Sequence, residues 1–425
     1  MTWPIQRCST WNITLPDTAP LRLLPRLGYS SRVSIEDDLR AELNQLDENQ
    51  GRRRVRSFGG SDRIHPTLQG RSLVAFCSND YLGLASHPAL AAAASGTAST
   101  DGFGSGAARL VSGSSPLTDA LEQELAAFVD QPTALLFPTG YQTNLGVLTA
   151  LAGPRDLIAS DAANHASIVD GCRLSRARIA IYRHADAADA ERALATPGDF
   201  RRRLLVTESL FSMDGTRAPL SALAAVAKQH DALFLVDEAH AVGVLGPRGR
   251  GLCVGAGVRP HLTIGTLGKA FASLGGFAAA SPTLRDLLLN TARTFIFTTA
   301  APHPVSAATL AALRLISGPE GERRRETLVC RVAALRTRMA TAGFPLGGAD
   351  AIVPVVLGSN QRALSAAAEL LTMGMLVPAI RPPTVPPNTA RLRVTLSADH
   401  TEAEVAALGA ALVDIVSSHP PTTPS

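Results

Sequence analysis

The sequence is almost without lysine. Of its 40 Lys and Arg residues only two are lysines, Lys228 and Lys269. It is equally poor in long apolar runs, none approaching the roughly 18 residues that span a bilayer, so a membrane partner is not expected. The first residues lack the basic, apolar, small-residue order of a secretory leader. Its five cysteines (Cys8, Cys77, Cys172, Cys253, Cys330) show no CxxC spacing, which argues against a zinc site or a disulfide framework; a reducing, cytoplasmic setting and no metal are expected. Aromatics are only 4% of residues and do not interleave with the basic runs at 52–56, 201–203 and 323–325. A net charge of +4 therefore reads as solvated helix ends and loops, not as a nucleic-acid surface.

What is present is an ordinary globular composition, 46% apolar and 18% charged over 425 residues, long enough for two or three lobes. Residues 1–33 read as an extended arm. An amphipathic helix is expected over 34–49, capped by Ser34 with Asp37 three residues on. Short apolar runs then alternate with helical stretches: ALLFP (134–138), DLIAS, RIAIY, RLLVTES, ALFLVDE and HLTIGTL. Such spacing predicts an α/β fold with a mostly parallel sheet covered on both faces. From about Leu310 the pattern changes to a long Arg-rich helix, AIVPVVLG, a helix over 362–373, RLRVTLS and a final helix to about Ser417, a smaller α+β lobe. The boundaries expected are 1–75 for the arm and helix, 76–309 for the large domain and 310–425 for the small one. The tail HPPTTPS reads as disordered.

The two lysines differ in setting. Lys228, in AVAKQHD, sits on a polar helical stripe and reads as a surface residue. Lys269, in LTIGTLGKAFASLGG, follows an apolar strand and precedes a glycine-rich turn. Arginine stays protonated, whereas a lysine amine can be tuned to react. Lys269 is therefore a candidate nucleophile, with a phosphate-binding or snorkelling lysine as the plainer alternative.

Ligands of open parallel sheets bind beyond the carboxyl ends of the strands, and four motifs fall there. TGYQTN (139–144) is a strand-to-helix turn whose free N–H groups suit a phosphate. DEAH (237–240) matches the acidic box of certain helicases, a reading that also needs a GxxxxGK(S/T) phosphate loop. Thr263 stands where its first glycine should be, Ala270 follows the lysine, and no other GK occurs, so the helicase-like NTPase reading fails. The remaining task for a strand-end carboxylate is to pair with a cation; in a pyridoxal-phosphate (PLP) site Asp237 would keep the pyridine nitrogen protonated, and His240 could reach the ring oxygen. GTLGKA (265–270) holds Lys269, and NHASIVDG (164–171) presents His165, whose imidazole could stack on a planar ring.

Together with SNDYLGL (78–84), GFGSGAARLVSGSSPLTDALEQELAAF (102–128), TESLFSMDGTRAPL (207–220), VDEAHAVGVLGPRGRG (236–251) and IRPPTVPPNTARLRVTLSADH (380–400), these blocks make the chain resemble the α-oxoamine synthases, from about residue 52 to 411. The resemblance implies a fold-type I PLP-dependent transferase, aspartate aminotransferase-like, acting as a homodimer with shared sites. It implies PLP on Lys269 as a Schiff base, with Lys269, His165 and Asp237 catalytic. Gly140, Tyr141, Thr266 and the neighbouring subunit's Thr299 would hold the phosphate end. Ser212 and His240 would meet the ring oxygen, and Glu208 matches an acidic position near the site. Arg52, Asn79, His165, Arg381 and Thr384 would face substrate, with Arg391 and Arg393 competing with Arg381 for a carboxylate. The RPPTVP segment and the RRR run favour L-alanine and a pimeloyl thioester, of CoA or a carrier protein, as substrates of a decarboxylative condensation. Other amino acids and acyl chains used within the family are the alternatives. Departures are GAARL in the glycine-rich stretch, AVG after His240, and the extra N-terminal residues.

Overall fold

The computed structural model describes residues 34–348 and 350–418; the expected arm (1–33) and tail (419–425) lie outside the described residues. Contacts divide the chain into two units, Met1–Arg53 and Arg54–Ser425. In the first, helix α1 spans Ile35–Glu48. Its cap is the one expected: Ser34 Oγ accepts from the Asp37 N–H at 3.1 Å and donates to the Asp37 carboxylate at 2.7 Å. Glu36, Asp37 and Asp38 place negative charge at the positive end of the helix dipole.

The second unit is built on a seven-stranded sheet. Its strands are β1 (Thr133–Phe137), β2 (Asp156–Asp161), β3 (Arg178–Tyr182), β4 (Arg202–Glu208), β5 (Leu233–Asp237), β6 (Leu262–Thr266) and β7 (Gly276–Ala280), in the order β1-β7-β6-β5-β4-β2-β3. The apolar runs form strands because both faces are covered; all six residues of β2 are buried. The sheet is parallel except for β7, which runs antiparallel to both β1 and β6.

That register decides where chemistry can occur. Glu208 pairs with Asp237 across β4 and β5, and Gly276 pairs with both Phe137 and Thr266. The carboxyl ends of β1, β4, β5 and β6 therefore meet along one edge of the sheet. Helix α2 (Gly140–Leu151) leaves β1 at that edge, and α3 (Ala166–Ser175) follows β2.

Toward the C-terminus a second, antiparallel sheet comprises β8 (Ile352–Gly358), β9 (Ala379–Ile380) and β10 (Ala390–Thr395), in the order β8-β10-β9. Helices Pro319–Thr341, Asn360–Thr372 and Glu402–Ser418 accompany it, within two residues of the expected 362–373 helix. A continuous apolar core runs from Phe76 through Phe271 and Phe277 to Leu392 and Leu412. Alternation along β10 sends Leu392 and Val394 to that core and Arg391 and Arg393 to its other side. Among the described residues no helix is long and apolar enough to cross a membrane.

Candidate active site

At the edge where the strands end, three glycine-dependent approaches form a cradle. A Cβ on Gly140 would lie 3.1 Å from Thr266 Cβ, and one on Gly276 would lie 2.4 Å from Thr143 Oγ1 and 2.7 Å from Gly140 Cα. Thr139 caps α2 by accepting from the Gln142 N–H at 3.1 Å. The N–H groups of Gly140 and Tyr141 then have no intrahelical acceptor and, with the helix dipole, suit an anion. The Tyr141 side chain turns away and donates to Asp170.

Asp237 ends β5 and is buried. Its Oδ2 accepts from Asn144 Nδ2 at 2.7 Å and its Oδ1 from the Ala239 N–H at 2.9 Å. Beside it, buried Glu208 accepts from the His165 N–H at 2.6 Å. Burial, and then the charge of Asp237, push the Glu208 carboxyl up to about 8, opposed by Lys269.

The strand β6 and the turn after it deliver Lys269, whose Nζ lies 2.8 Å from His240 Nε2. On the other side of that ring, His240 Nδ1 lies 2.7 Å from the Tyr81 hydroxyl. Burial lowers the Lys269 amine to about 8, against the opposing pull of Asp237 and Glu208; the Arg393 charge lowers it further. Burial, and then the charge on Lys269, hold His240 well below the usual imidazole range, so its ring is neutral. A lysine amine neutral in useful proportion near pH 8 can attack a carbonyl or take a proton from carbon.

The hairpin after β4 brings in Ser212. Its carbonyl accepts from Arg393 Nε at 2.6 Å, while its hydroxyl has no partner among the described residues. Arg393 also reaches Asn79 Oδ1 with both terminal nitrogens at 3.4 Å, and Tyr81 donates to the same oxygen at 3.2 Å. Arg391 instead pairs with Asp214.

Among the described residues no hydrogen bond or ion pair ties Arg381, Thr384 or Thr299 to this cluster. Arg381, after β9, is half-buried, and its guanidinium makes no hydrogen bond or ion pair among the described residues. Thr384 is exposed, its N–H donating to the Arg381 carbonyl at 3.0 Å. Thr299 is exposed, beside Phe297 at 70% exposure. Arg52 belongs to the first unit, where it pairs with Asp47 at 2.6 Å. Tyr81, Asn144 and Ser167 were not singled out from sequence; the signal available was a buried polar residue within SNDYLGL, TGYQTN and HASIVDG.

The donor set fits PLP. The glycine cradle and α2 N-terminus suit its phosphate, Asp237 its ring nitrogen, Lys269 its carbonyl carbon, and the imidazole of His165 a ring face.

Comparison with known proteins agrees with this fit. The family model for aminotransferase class I and II matches residues 71–412. The 8-amino-7-oxononanoate synthase of Bordetella petrii is 49% identical over 387 residues, covering 89% of this chain and 98% of the relative. That of Anaeromyxobacter sp. is 47% identical, covering 91% and 98%. Among solved structures, serine palmitoyltransferase from S. paucimobilis with a bound PLP–myriocin aldimine superposes with a TM-score of 0.84 at 30% identity, covering 90% of this chain and 97% of that one. The 8-amino-7-oxononanoate synthase of Francisella tularensis gives 0.71 at 26% identity, covering 81% and 98%.

Proposed function

The chain belongs to the aminotransferase class I and II family, and from that premise we propose that it condenses L-alanine with a pimeloyl thioester, releasing CO₂ and free thiol and leaving 8-amino-7-oxononanoate. It is a PLP-dependent acyltransferase of biotin biosynthesis. The observation that carries the reading is the Lys269 amine, 2.8 Å from a neutral His240 and lowered to about 8 by burial against the opposing charges of Asp237 and Glu208. Relatives 47–49% identical over most of the chain bear that enzyme's name.

PLP, when bound, supplies an electron sink for the negative charge left at the alanine α-carbon. Lys269 would hold the cofactor covalently and supply the amine that takes the α-proton and later returns one. Asp237 would keep the ring nitrogen protonated, and its own orientation is fixed by Asn144 and the Ala239 N–H. Thr266 and the backbone at Gly140 and Tyr141 would hold the phosphate, joined by Thr299 of a second copy. Ser212 and His240 would meet the ring oxygen. Arg381, unpaired among the described residues, takes the alanine carboxylate beside Thr384, because a planar guanidinium can meet both oxygens. Arg393 holds Asn79 and the Ser212 carbonyl toward substrate. Arg52 is assigned the distal carboxylate of the acyl chain on the family resemblance alone, and Arg52→Ala tests it through the thioester KM.

Purified protein incubated with L-alanine, glycine or L-serine, each against pimeloyl-, acetyl-, succinyl- and palmitoyl-CoA, separates the readings by product mass. The expected product is 8-amino-7-oxononanoate. Faster turnover of glycine with a short acyl-CoA, or of L-serine with palmitoyl-CoA, would overturn the substrate assignment. Pimeloyl-carrier protein run alongside pimeloyl-CoA identifies the acyl donor.

A further inference from the structure

Behind the site, four polar side chains form one chain of hydrogen bonds. Asn144 Nδ2 donates to Asp237 Oδ2 at 2.7 Å and to Ser167 Oγ at 2.9 Å. Ser167 Oγ lies 2.8 Å from His165 Nδ1, and the Ser167 backbone N–H donates to the same nitrogen at 3.2 Å. Chemistry fixes every direction along this chain. An amide nitrogen only donates, and turning Asn144 over would set its oxygen against a carboxylate. A backbone N–H also only donates, so His165 Nδ1 presents its lone pair. The Ser167 hydroxyl, already accepting from Asn144, has its single hydrogen left for that lone pair. One atom is left over: Asn144 Oδ1, buried with no partner among the described residues. An amide with both hydrogens engaged and an idle oxygen acts as a two-way donor.

We propose that Asn144 and Ser167 are positioning residues that hold His165 as the neutral tautomer carrying its hydrogen on Nε2, with the ionised Asp237 orienting the chain. The consequence for catalysis rests on the reading above, in which Asp237 holds the protonated ring nitrogen and His165 faces the ring. One charge state of the site thereby sets another. The carboxylate that keeps the cofactor ring positive also orients the Asn144–Ser167 donors that hold the stacking imidazole neutral against that carboxylate's own charge, so two cations do not lie face to face. The Nε2–H remains free to donate to substrate.

The groups around His165 do not all act alike. Asp237 and Asp170 favour its charged form, while burial, first, and the Lys269 charge oppose it and win. Glu208 accepts the His165 backbone N–H, and His240 is neutral. Donors aimed at Nδ1 add to the neutral side, because a hydrogen bond made only by the neutral form favours it.

The test uses the full-length protein as purified, with ¹⁵N-labelled histidine imidazoles, and reads the tautomer by two-bond ¹H–¹⁵N correlation. His165→Gln identifies the His165 signal by its loss. Wild type should show Nε2 protonated and Nδ1 bare, and should hold that form below the ordinary imidazole value of 6.5. Ser167→Ala removes one of two donors to Nδ1 and should raise the His165 pKa by roughly half a unit to one unit. Asn144→Ala should shift it the same way. A purely packing role for either residue would change melting and leave this titration in place. Wild-type His165 protonated on Nδ1, or both variants titrating with wild type, would overturn the proposal. The wild-type spectrum decides even if a variant does not fold. The two readings fail separately: the Nε2 tautomer in a protein that binds no PLP sinks only the functional reading, and an Nδ1–H in an enzyme making 8-amino-7-oxononanoate sinks only this one.

Discussion

Replacing Asp237 by Asn removes one charge and almost nothing else. Asp237 accepts two hydrogen bonds, from Asn144 Nδ2 at 2.7 Å and from the Ala239 N–H at 2.9 Å. In Asp237→Asn the amide oxygen can keep the Ala239 bond, and the new NH₂ meets the Asn144 NH₂ donor to donor. Asn144 can relieve this by turning over so that its Oδ1 accepts from the new amide, but its NH₂ then gives up the bond to Ser167 and is buried where Oδ1 had no partner. The fold should therefore lose about 1–3 kcal/mol, seen as a modest drop in Tm. Chemistry should lose much more. Deleting a preorganised electrostatic partner costs about 2.7–4 kcal/mol, or 10²–10³-fold in rate. The Lys269 amine also loses the first of the two carboxylates that offset its burial, so its pKa falls further below about 8. Deuterium wash-in at the alanine α-carbon, followed by NMR, reads the proton-transfer step without the thioester, and visible absorbance checks that cofactor is retained. A variant that binds cofactor and exchanges at the wild-type rate would refute the role of Asp237.

Arg381→Lys should raise the KM for alanine at least tenfold and the thioester KM much less, because one point charge replaces a bidentate fork; an unchanged alanine KM with a large effect from Arg393→Lys would move the carboxylate to Arg393. Mixing Lys269→Ala with Thr299→Ala subunits should restore activity, since each mixed dimer then has one site with both residues intact; activity no higher than the separate variants would place Thr299 in its own subunit's site. Buried Glu238 accepts from the Leu252 and Cys253 N–H groups, and burial raises it to about 7. Its folded pKa lies above the unfolded value, so its stabilising contribution is full below the ordinary carboxylate range and is lost as pH rises toward 7, by no more than about 3 kcal/mol. Glu238→Gln keeps the acceptor and should flatten the fall in Tm between pH 5 and 8; an unaltered slope would show that another group causes it.

Much of the sheet is legible in the sequence because buried parallel strands demand unbroken apolar runs, and DLIASD or LFLVD can do little else in a globular fold. Strand β7 is different. GFAAA has neither branched nor aromatic enrichment beyond Phe277, and it forms a strand because Gly276 and its neighbours fit between β1 and β6, a tertiary fact. The site divides the same way. Lys269 announces itself as one of two lysines, and Asp237 by its place at a strand end. Tyr81, 159 positions before the histidine it contacts, and Asn144, 93 positions before Asp237, acquire meaning only when the fold brings them together. Arg393 shows the same limit: alternation along β10 names it as a candidate, and only its contacts with Ser212 and Asn79 give it a place.

The central claim is that Lys269 carries the cofactor, and borohydride tests it most directly. Reduction of the purified protein fixes the linkage, and proteolysis with mass-spectrometric mapping locates the pyridoxyl group. The account predicts a yellow protein, bleached on reduction, with the label on the peptide containing Lys269. A label on Lys228, or on neither lysine of a protein that turns over its substrates, would contradict it.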